Sequence, residues 1–194
     1  MSTDHPDRSR QVLWFFGADA AGKSVVGWEA YSQLTAAGVP AAYVDLDYLG
    51  FCEPRPDDFT GLVADNLEGV WRGFSSRGIR FLVVSGIVVT AEERQRYSER
   101  LPGCELHLVL LRARPGTIRD RIVRRREVEA QQRGSRLDDT VLRELSEYAE
   151  RSVRFAAFLK AAGFADVVLD TDDLTPTDVA GHALRRLTCS RPRG

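Results

Sequence analysis

The sequence predicts an α/β fold in which a five-stranded parallel sheet is flanked by helices. Five apolar runs alternate with stretches of helical periodicity along the 194 residues. This alternation is typical of parallel strands joined by right-handed helical crossovers. The run at 79–89 is the longest, as in a central strand that is buried on both faces. In such sheets, ligands bind beyond the carboxyl ends of the strands, so site residues are expected there.

The first half of the chain carries three of the predicted strands. A short apolar run ends in Gly17 and leads into a helix, which Gly38 closes. A second helix has apolar residues at helical spacing between Phe59 and Phe74. Residues 90–93 have the capping-box pattern that begins a further helix. The predicted elements are a strand at 11–17, a helix to about 37, a strand at 41–47, a helix within 59–74 and a strand at 79–89.

The second half adds two strands and three helices. Pro115 suits the first turn of a helix, and Thr175 followed by Pro176 predicts the start of the last one. Residues 119–140 are dense in charge and nearly free of large apolar side chains, so they form either a solvated helix face or a mobile lid. The other predicted elements are a strand at 104–113, an amphipathic helix from about 137 to 163 and a strand at 164–171.

Composition limits the classes of function. The chain is 43% hydrophobic and 28% charged, which predicts a buried core and a single domain over residues 1–194. A net charge of −1 disfavours a general nucleic-acid binder. No apolar run approaches the roughly 20 residues that span a bilayer. The N-terminus lacks the apolar stretch of a secretory signal, and the three cysteines are widely spaced. We therefore expect a cytoplasmic protein with reduced thiols, either a monomer or a homodimer.

A phosphate-binding loop is the most specific motif. Residues 17–24 read Gly-Ala-Asp-Ala-Ala-Gly-Lys-Ser, which matches G-x-x-x-x-G-K-S between a predicted strand and a predicted helix. Gly17 and Gly22 allow a tight backbone path, so that successive amides curve around an anion at the helix N-terminus. Lys23 is expected to reach the β- and γ-phosphates, and the Ser24 hydroxyl to ligate Mg²⁺. The motif therefore predicts nucleotide binding.

Two carboxylates follow on the second predicted strand. Asp45 and Asp47 are two residues apart, so in a strand both point to one face. That face is expected near the phosphate loop if the first two strands flank the cleft. The third strand ends Val-Val-Ser-Gly at 83–86, without the usual aspartate of a phosphate-loop magnesium site. We therefore expect Asp45 to supply the metal-side carboxylate. Gly86 serves either a tight strand exit or a close approach of the backbone to a ligand.

The phosphate loop, the D-x-D pair and an arginine-rich segment at 119–126 resemble the small-molecule kinases of the nucleoside monophosphate kinase-like P-loop superfamily. Shikimate kinase, gluconate kinase, adenylylsulfate kinase and chloramphenicol phosphotransferase are similar members. The resemblance implies a three-layer P-loop NTPase fold with an arginine-rich lid, and ATP and Mg²⁺ as cofactors. It also implies that Asp45 lies on the metal side and that Asp47 orients or deprotonates the acceptor hydroxyl. The residues alone also allow Asp47 to cap the following turn.

The resemblance further assigns a lid and a place for the adenine ring. Lid arginines neutralise the transferring phosphoryl group, and Arg121, Arg124 and Arg125 share one helical face. A solvated helix face is the alternative. The adenine ring is expected near residues 171–176. The predicted nucleotide-binding residues are Gly17, Ala18, Asp19, Ala20, Ala21, Gly22, Lys23, Ser24, Val25, Arg121 and Thr171. The predicted catalytic residues are Lys23, Asp47, Arg121 and Arg125, and the predicted metal ligands are Ser24 and Asp45.

The segment 48–78 is the predicted acceptor lobe. Adenylylsulfate kinases carry an arginine shortly after D-x-D, whereas the first arginine after this pair is Arg55. Because a nucleotide acceptor needs arginines to hold its phosphate, this departure favours a neutral or partly apolar alcohol. Arg55 and Asn66 are candidate polar contacts of the acceptor. Phe59 and Trp71 fit a pocket or the hydrophobic core equally well.

We therefore predict an enzyme, an ATP- and Mg²⁺-dependent phosphotransferase that acts on the hydroxyl of a metabolite or an antibiotic-like alcohol. Its partners are ATP and that small molecule, with no nucleic acid and no membrane. The absence of N-K-x-D, with which Ras-type GTPases read guanine, favours ATP over GTP. Two alternatives stay open from the sequence. One is a nucleotide-dependent regulatory protein that docks a partner through 48–74, and the other is a nucleoside monophosphate kinase.

Overall fold

The computed structural model describes residues 10–189, with side chains up to residue 187, so residues 1–9 and 190–194 of the predicted domain lie outside it. The strands are β1 (Arg10–Phe16), β2 (Ala41–Asp45), β3 (Phe81–Ser85), β4 (Cys104–Arg112) and β5 (Val167–Asp170). The helices are α1 (Lys23–Ala36), α2 (Phe59–Ser75), α3 (Ala91–Arg100), α4 (Pro115–Gln132), α5 (Asp139–Ala162) and α6 (Pro176–Cys189). Within this described range, no helix is both long and apolar enough to cross a membrane.

All five strands are parallel and lie in the order β2-β3-β1-β4-β5, which confirms the predicted α/β fold. The two first strands are not neighbours, because β3 lies between them. The register places Asp45, the last residue of β2, beside Ser85, the last residue of β3. The carboxyl ends of β1, β3 and β2 thus meet at one edge of the sheet, close to the phosphate loop.

Helices cover both faces of the sheet and complete three layers. On one face, α2, α3 and α5 bury Leu67, Tyr97 and Leu159 against Trp14 of β1. On the other face, α1 and α6 pack against the remaining side chains of β1 and β3. The alternation of β1 side chains between two hydrophobic clusters explains why this central strand is a continuous apolar run. A third cluster joins α4 and α5 to Ala20 of the phosphate loop.

Two strands end two or more residues before the predicted position, while β1, β4 and β5 end within one residue of it. β2 stops at Asp45 instead of residue 47, because the Asp45 carboxylate accepts a hydrogen bond from the Asp47 amide (3.1 Å) and turns the chain into a short 3-10 helix, Leu46–Leu49. This side chain–backbone bond competes with continuation of the strand. β3 spans Phe81–Ser85 instead of 79–89, since the chain leaves the sheet at Gly86.

The helix starts agree with the cap residues in the sequence. The Thr90 hydroxyl accepts from the Glu93 amide at 3.2 Å, and the Thr175 hydroxyl accepts from the Asp178 amide at 3.2 Å. Residues 119–132 belong to α4, so most of the predicted lid is an ordered helix here. Together with α5 it forms a hairpin of antiparallel helices.

Gly86 serves a tight strand exit, because a Cβ atom there would lie 2.6 Å from Cβ of Leu46. Its backbone also holds β1, since its amide donates to the Phe15 carbonyl (3.1 Å) and its carbonyl accepts from the Trp14 indole (3.3 Å). We predict that Gly86→Ala lowers the free energy of unfolding by about 1–3 kcal/mol, as overpacking of a rigid site does. Urea denaturation followed by circular dichroism measures this change.

Gly69→Ala is the matched control for this substitution. A Cβ atom at Gly69, on the exposed face of α2, meets nothing within 4 Å. Alanine is favoured over glycine inside helices by roughly 0.5–1 kcal/mol, so the control is expected to be slightly more stable than the original protein. Equal stability of the Gly86→Ala variant and the control would show that Leu46 can move away at no cost.

Candidate active site

The phosphate loop connects β1 to α1 in the conformation that its glycines predict. Gly17 and Gly22 have φ values of 155° and 99°, and Ala20 has a φ of 62°. A Cβ atom at Gly17 would lie 2.5 Å from the Leu111 carbonyl oxygen of β4, so only glycine fits there. No side chain caps the N-terminus of α1. The loop therefore leaves amide donors and the positive end of a helix dipole available for an anion.

Lys23 lies at the centre of this loop with only 11% of its side chain exposed. Its ammonium donates to the Ala18 carbonyl (3.1 Å) and lies 3.7 Å from the Asp19 carboxylate. Burial lowers the pKa of Lys23, and the nearby carboxylates, with Asp19 foremost, oppose that shift. Among the described residues, this partly desolvated cation has one carboxylate within ion-pairing distance, so it is well suited to exchange that carboxylate for phosphate oxygens.

Ser24 and Asp45 form the second element of the site. The Ser24 hydroxyl donates to Oδ2 of Asp45 at 2.7 Å, so the two predicted metal ligands are in direct contact. Tyr43, two residues earlier on β2, places its hydroxyl 3.3 Å from the same oxygen and 2.7 Å from Oγ of the buried Ser85. Burial raises the pKa of Tyr43, which keeps the phenol protonated. The sequence reading missed both Tyr43 and Ser85.

Asp47 does not share a strand face with Asp45, which corrects the expectation from their spacing. It lies in the 3-10 helix after β2, and it is Asp45, not Asp47, whose side chain caps that turn. Asp47 makes no hydrogen bond through its own carboxylate within the described residues. Burial and the Asp45 charge raise the pKa of Asp47, while Lys23 lowers it. Asp47 also lines the large cavity between α2 and α3, so its free carboxylate faces ligand space next to Lys23.

A cavity of about 570 Å³ lies between the phosphate loop, α4 and the segment that follows β5. Its walls include Val25, Val128, Leu174 and Pro176, so their surface is mainly apolar. The cavity has room for a nucleotide base and sugar. Thr171 and Arg121 line it as well. Three features that suit a nucleotide base coincide here: an apolar wall, the adjoining phosphate loop and the exit of β5, near which the adenine ring is expected.

Four of the five arginines of α4 lie in three different environments. Arg121 donates to the Ala20 carbonyl (3.2 Å), and to the hydroxyl (3.0 Å) and carbonyl (2.6 Å) of Thr171. It therefore ties the phosphate loop to the exit of β5. Arg124 and Arg125 line the 570 Å³ cavity, and neither forms a hydrogen bond or ion pair within residues 10–187. Arg119 points away and pairs with Glu150 of α5 at 2.6 Å.

Tyr148 of α5 is a further contact that sequence reasoning missed. Its hydroxyl donates to Oδ2 of Asp19 at 2.7 Å, and burial together with this bond raises the pKa of Tyr148 to about 12. The helical hairpin is thereby attached to the phosphate loop next to Lys23. The two residues are 129 positions apart, and no local pattern in the sequence indicates their contact.

A second cavity, of about 770 Å³, lies beyond Asp47 and corresponds to the predicted acceptor lobe. Phe59 and Arg55 both line it, and the Arg55 guanidinium stacks on the Phe59 ring at 3.6 Å. Trp71 belongs to the core, with 3% exposure. Asn66 donates to the Leu49 carbonyl at 2.8 Å and does not line the cavity, so it supports the lobe instead of contacting the acceptor.

The far wall of this cavity comes from the segment after β3, which sequence reasoning did not include. Glu93 accepts from the Val89 amide (2.7 Å) and the Thr60 hydroxyl (3.3 Å), so its carboxylate connects α3 to α2. Tyr97, with a pKa raised to about 12 by burial, closes the floor. The general rule that ligands lie beyond the carboxyl ends of parallel strands could have identified this segment.

Comparison with solved structures finds this fold over nearly the whole chain. An APS kinase from Mycobacterium tuberculosis, in complex with AMPPNP and APS, matches with a TM-score of 0.58 and 19% identity over 94% of this chain and 99% of that one. A tunicamycin resistance protein from Deinococcus radiodurans matches with a TM-score of 0.62 and 15% identity over 92% of this chain and 95% of that one. The chain has the P-loop kinase fold.

A gluconokinase from Sinorhizobium meliloti extends the P-loop kinase comparison, with a TM-score of 0.57 and 20% identity over 94% of each chain. No family model matches the sequence, and no curated protein matches it. The likeness is therefore one of fold. It confirms the fold that the phosphate loop, the D-x-D pair and the arginine-rich helix predicted.

Proposed function

We propose that the protein is a phosphotransferase that moves the γ-phosphoryl group of Mg·ATP to a hydroxyl of a small molecule. The observation that carries this proposal is the position of Asp47. Its carboxylate has no protein partner among the described residues, and it lines the acceptor cavity while acting electrostatically on Lys23 of the phosphate loop. The Asp47 carboxylate thus lies between the phosphate loop, as the donor site, and the acceptor cavity, where it can orient a hydroxyl.

The residues present fit the nucleotide. The phosphate-loop amides from Gly17 to Val25 and the Lys23 ammonium would bind the β- and γ-phosphates, and Thr171 and Arg121 would shape the base cavity. AMPPNP in the APS kinase complex supports an adenine nucleotide here. The residues also fit Mg²⁺, because a hydroxyl and a carboxylate are oxygen ligands in direct contact beside the phosphates. When bound, the cation would neutralise phosphate charge.

Transfer needs an oriented nucleophile and a neutralised phosphoryl group. Asp47 would accept the proton of the acceptor hydroxyl. Of the two predicted catalytic arginines, Arg125 has its guanidinium free for the moving phosphoryl group and lies close enough to Lys23 to lower its pKa. Arg121 is held by three hydrogen bonds to Ala20 and Thr171. We therefore assign charge neutralisation to Arg125 and positioning of the phosphate loop to Arg121.

The acceptor cavity indicates an alcohol with an apolar portion. Phe51, Phe59, Val63 and Ile87 contribute hydrocarbon and aromatic surface, and within residues 10–187 Arg55 is the only arginine on its wall. A nucleoside monophosphate acceptor would require several arginines around its phosphate. We thus favour a metabolite or antibiotic-like alcohol. The tunicamycin resistance protein shows that this fold occurs in a resistance protein.

The test is a coupled assay of ADP release across nucleoside monophosphates, sugars, and aminoglycoside- or chloramphenicol-like alcohols, with ³¹P NMR of the product. We expect acceptor-dependent ADP release and a phosphate ester with at least one alcohol. Release only with nucleoside monophosphates would establish the monophosphate kinase alternative. ATP binding that never leads to acceptor-dependent release would refute the kinase proposal.

The regulatory alternative also has an observation in its favour. Tyr48 and Phe51, next to the acceptor cavity, are 76% and 81% exposed, and their rings lie 6.1 Å apart. Such a pair could contact a protein partner as well as a small molecule. A Tyr48→Ser, Phe51→Ser double variant distinguishes the two functions: a kinase should show a raised KM for its alcohol, whereas a regulator would lose partner binding with unchanged ATP affinity.

A further inference from the structure

The end of β3 carries a serine where a phosphate-loop magnesium site usually has an aspartate, and a hydrogen-bonded group of side chains occupies this region. Ser85 is completely buried and lies beside Asp45 in the register of β3 and β2. Tyr43 precedes Asp45 by two residues on β2, so both side chains point to the face that α1 covers. Three side chains from two neighbouring strands therefore meet under the phosphate loop.

The donors in this group can be ordered so that the hydrogen bonds run toward the metal-side residues, Asp45 and Ser24. An ionised carboxylate only accepts, so Oδ2 of Asp45 takes the Ser24 hydroxyl at 2.7 Å. The Tyr43 proton can be donated to that oxygen at 3.3 Å or to the Ser24 carbonyl at 3.4 Å. Either bond attaches Tyr43 to the metal side. Oγ of Ser85 lies 2.7 Å from the Tyr43 oxygen, and when the Tyr43 proton is on the metal side it is Ser85 that donates in this contact and holds the phenol in place.

Gly27 of α1 gives independent support, because it makes room for this group. A Cβ atom on Gly27 would lie 3.0 Å from Cε2 of Tyr43 and 3.4 Å from Cβ of Ser85. Glycine inside a helix costs roughly 0.5–1 kcal/mol relative to alanine. The chain therefore has a residue that weakens the helix at a position where α1 passes closely over Tyr43 and Ser85.

We propose that Tyr43, held by Ser85, is a positioning residue that fixes Asp45 against Ser24 and thereby sets the affinity of the site for a nucleotide-bound divalent cation. These residues together replace the aspartate that β3 lacks. Asp45 supplies the negative charge from β2, and Tyr43 with Ser85 fixes the orientation of the Asp45 carboxylate. This proposal rests on the Mg·ATP site proposed above. It does not depend on transfer to an alcohol.

The test measures Mn²⁺ binding to the ADP-saturated protein by the electron paramagnetic resonance signal of free Mn²⁺. Loss of an outer hydrogen bond to a metal ligand typically weakens metal binding about 10–100-fold. We therefore expect Tyr43→Phe to weaken Mn²⁺ binding by roughly tenfold or more. The affinity for ADP in the presence of EDTA should be unchanged, because the amides and Lys23 still bind the phosphates.

Tyr31→Phe is the matched control. Tyr31 lies in the same aromatic cluster, 6.4 Å from the Tyr43 ring, and its hydroxyl makes no hydrogen bond within the described part of the chain. Its removal should leave Mn²⁺ affinity within about twofold, as for an ordinary surface change. Wild-type Mn²⁺ affinity in Tyr43→Phe would overturn the proposal. So would an equal loss of metal-free ADP affinity, because that would indicate general damage to the loop.

Ser85→Ala provides a second variant that keeps the tyrosine ring and its packing. It should weaken Mn²⁺ binding in the same direction as Tyr43→Phe but by a smaller factor, and unchanged Mn²⁺ affinity here would also refute the proposal. If Tyr43→Phe fails to fold by circular dichroism, Ser85→Ala alone decides. Both readouts measure binding, so they are independent of phosphate transfer. If the original protein transfers no phosphate to any alcohol, the proposed kinase function is refuted. If Tyr43→Phe nevertheless loses Mn²⁺ affinity, this inference stands.

Discussion

Replacing Lys23 with alanine is expected to weaken ATP binding by roughly 10–100-fold, because a charge-assisted hydrogen bond to phosphate contributes about 1.5–3 kcal/mol. Transfer should fall further, by at least about 10²–10³-fold, because the same ammonium stabilises charge that develops on the phosphoryl group. The effect arises at a side chain with only 11% exposure in the centre of the loop. Isothermal titration with ATP and single-turnover transfer measure the two changes separately.

The sequence supplies its own control for this substitution, since the only other lysine is Lys160. It lies on the exposed side of α5, away from the loop. Lys160→Ala removes the same charge from the protein, and we expect wild-type ATP affinity. If Lys23→Ala also binds ATP with wild-type affinity, the phosphate loop does not hold the nucleotide in the proposed way.

The fold could be predicted because its signals are local. A continuous apolar run such as β1, and cap residues such as Thr90 and Thr175, specify their elements through neighbours only a few positions away. Strand order cannot be predicted from such local signals, because it depends on which crossovers pack best. In the structure β3 lies between β1 and β2. The end of β2 was also mispredicted, since a single bond from the Asp47 amide to the Asp45 carboxylate outweighs the apolar pattern.

The donor half of the site could be predicted for the same reason, and the acceptor half could not. The phosphate loop is one contiguous motif in which each residue has a local purpose. By contrast, Glu93 and Tyr97 reach the acceptor cavity only through the packing of α3 against α2. Tyr148 reaches Asp19 across 129 residues. The sequence places Tyr43 in a strand, but its hydrogen bond with Ser85 depends on a strand register that the sequence does not specify.

The second large effect is expected at Asp47, where asparagine keeps the shape of the side chain and removes its charge and basicity. Transfer to the acceptor alcohol should fall by about 10²–10⁴-fold, the range that a positioned general base contributes. ATP affinity should be retained or slightly increased, because a negative charge that acts on Lys23 is removed from the neighbourhood of the phosphates. Single-turnover transfer and ATP titration on the same preparation separate these two results.

Asp57→Asn is the matched control, because Asp57 is an exposed carboxylate of the same lobe that does not line the acceptor cavity. It should transfer phosphate at the wild-type rate. The two variants carry the same change in net charge, so any difference in their transfer rates arises from the position of the carboxylate that was removed. Retained turnover in Asp47→Asn would remove this residue from the proton-accepting role. The carboxylates left to orient the acceptor hydroxyl would then be those of Glu53 and Glu93, which also line this cavity.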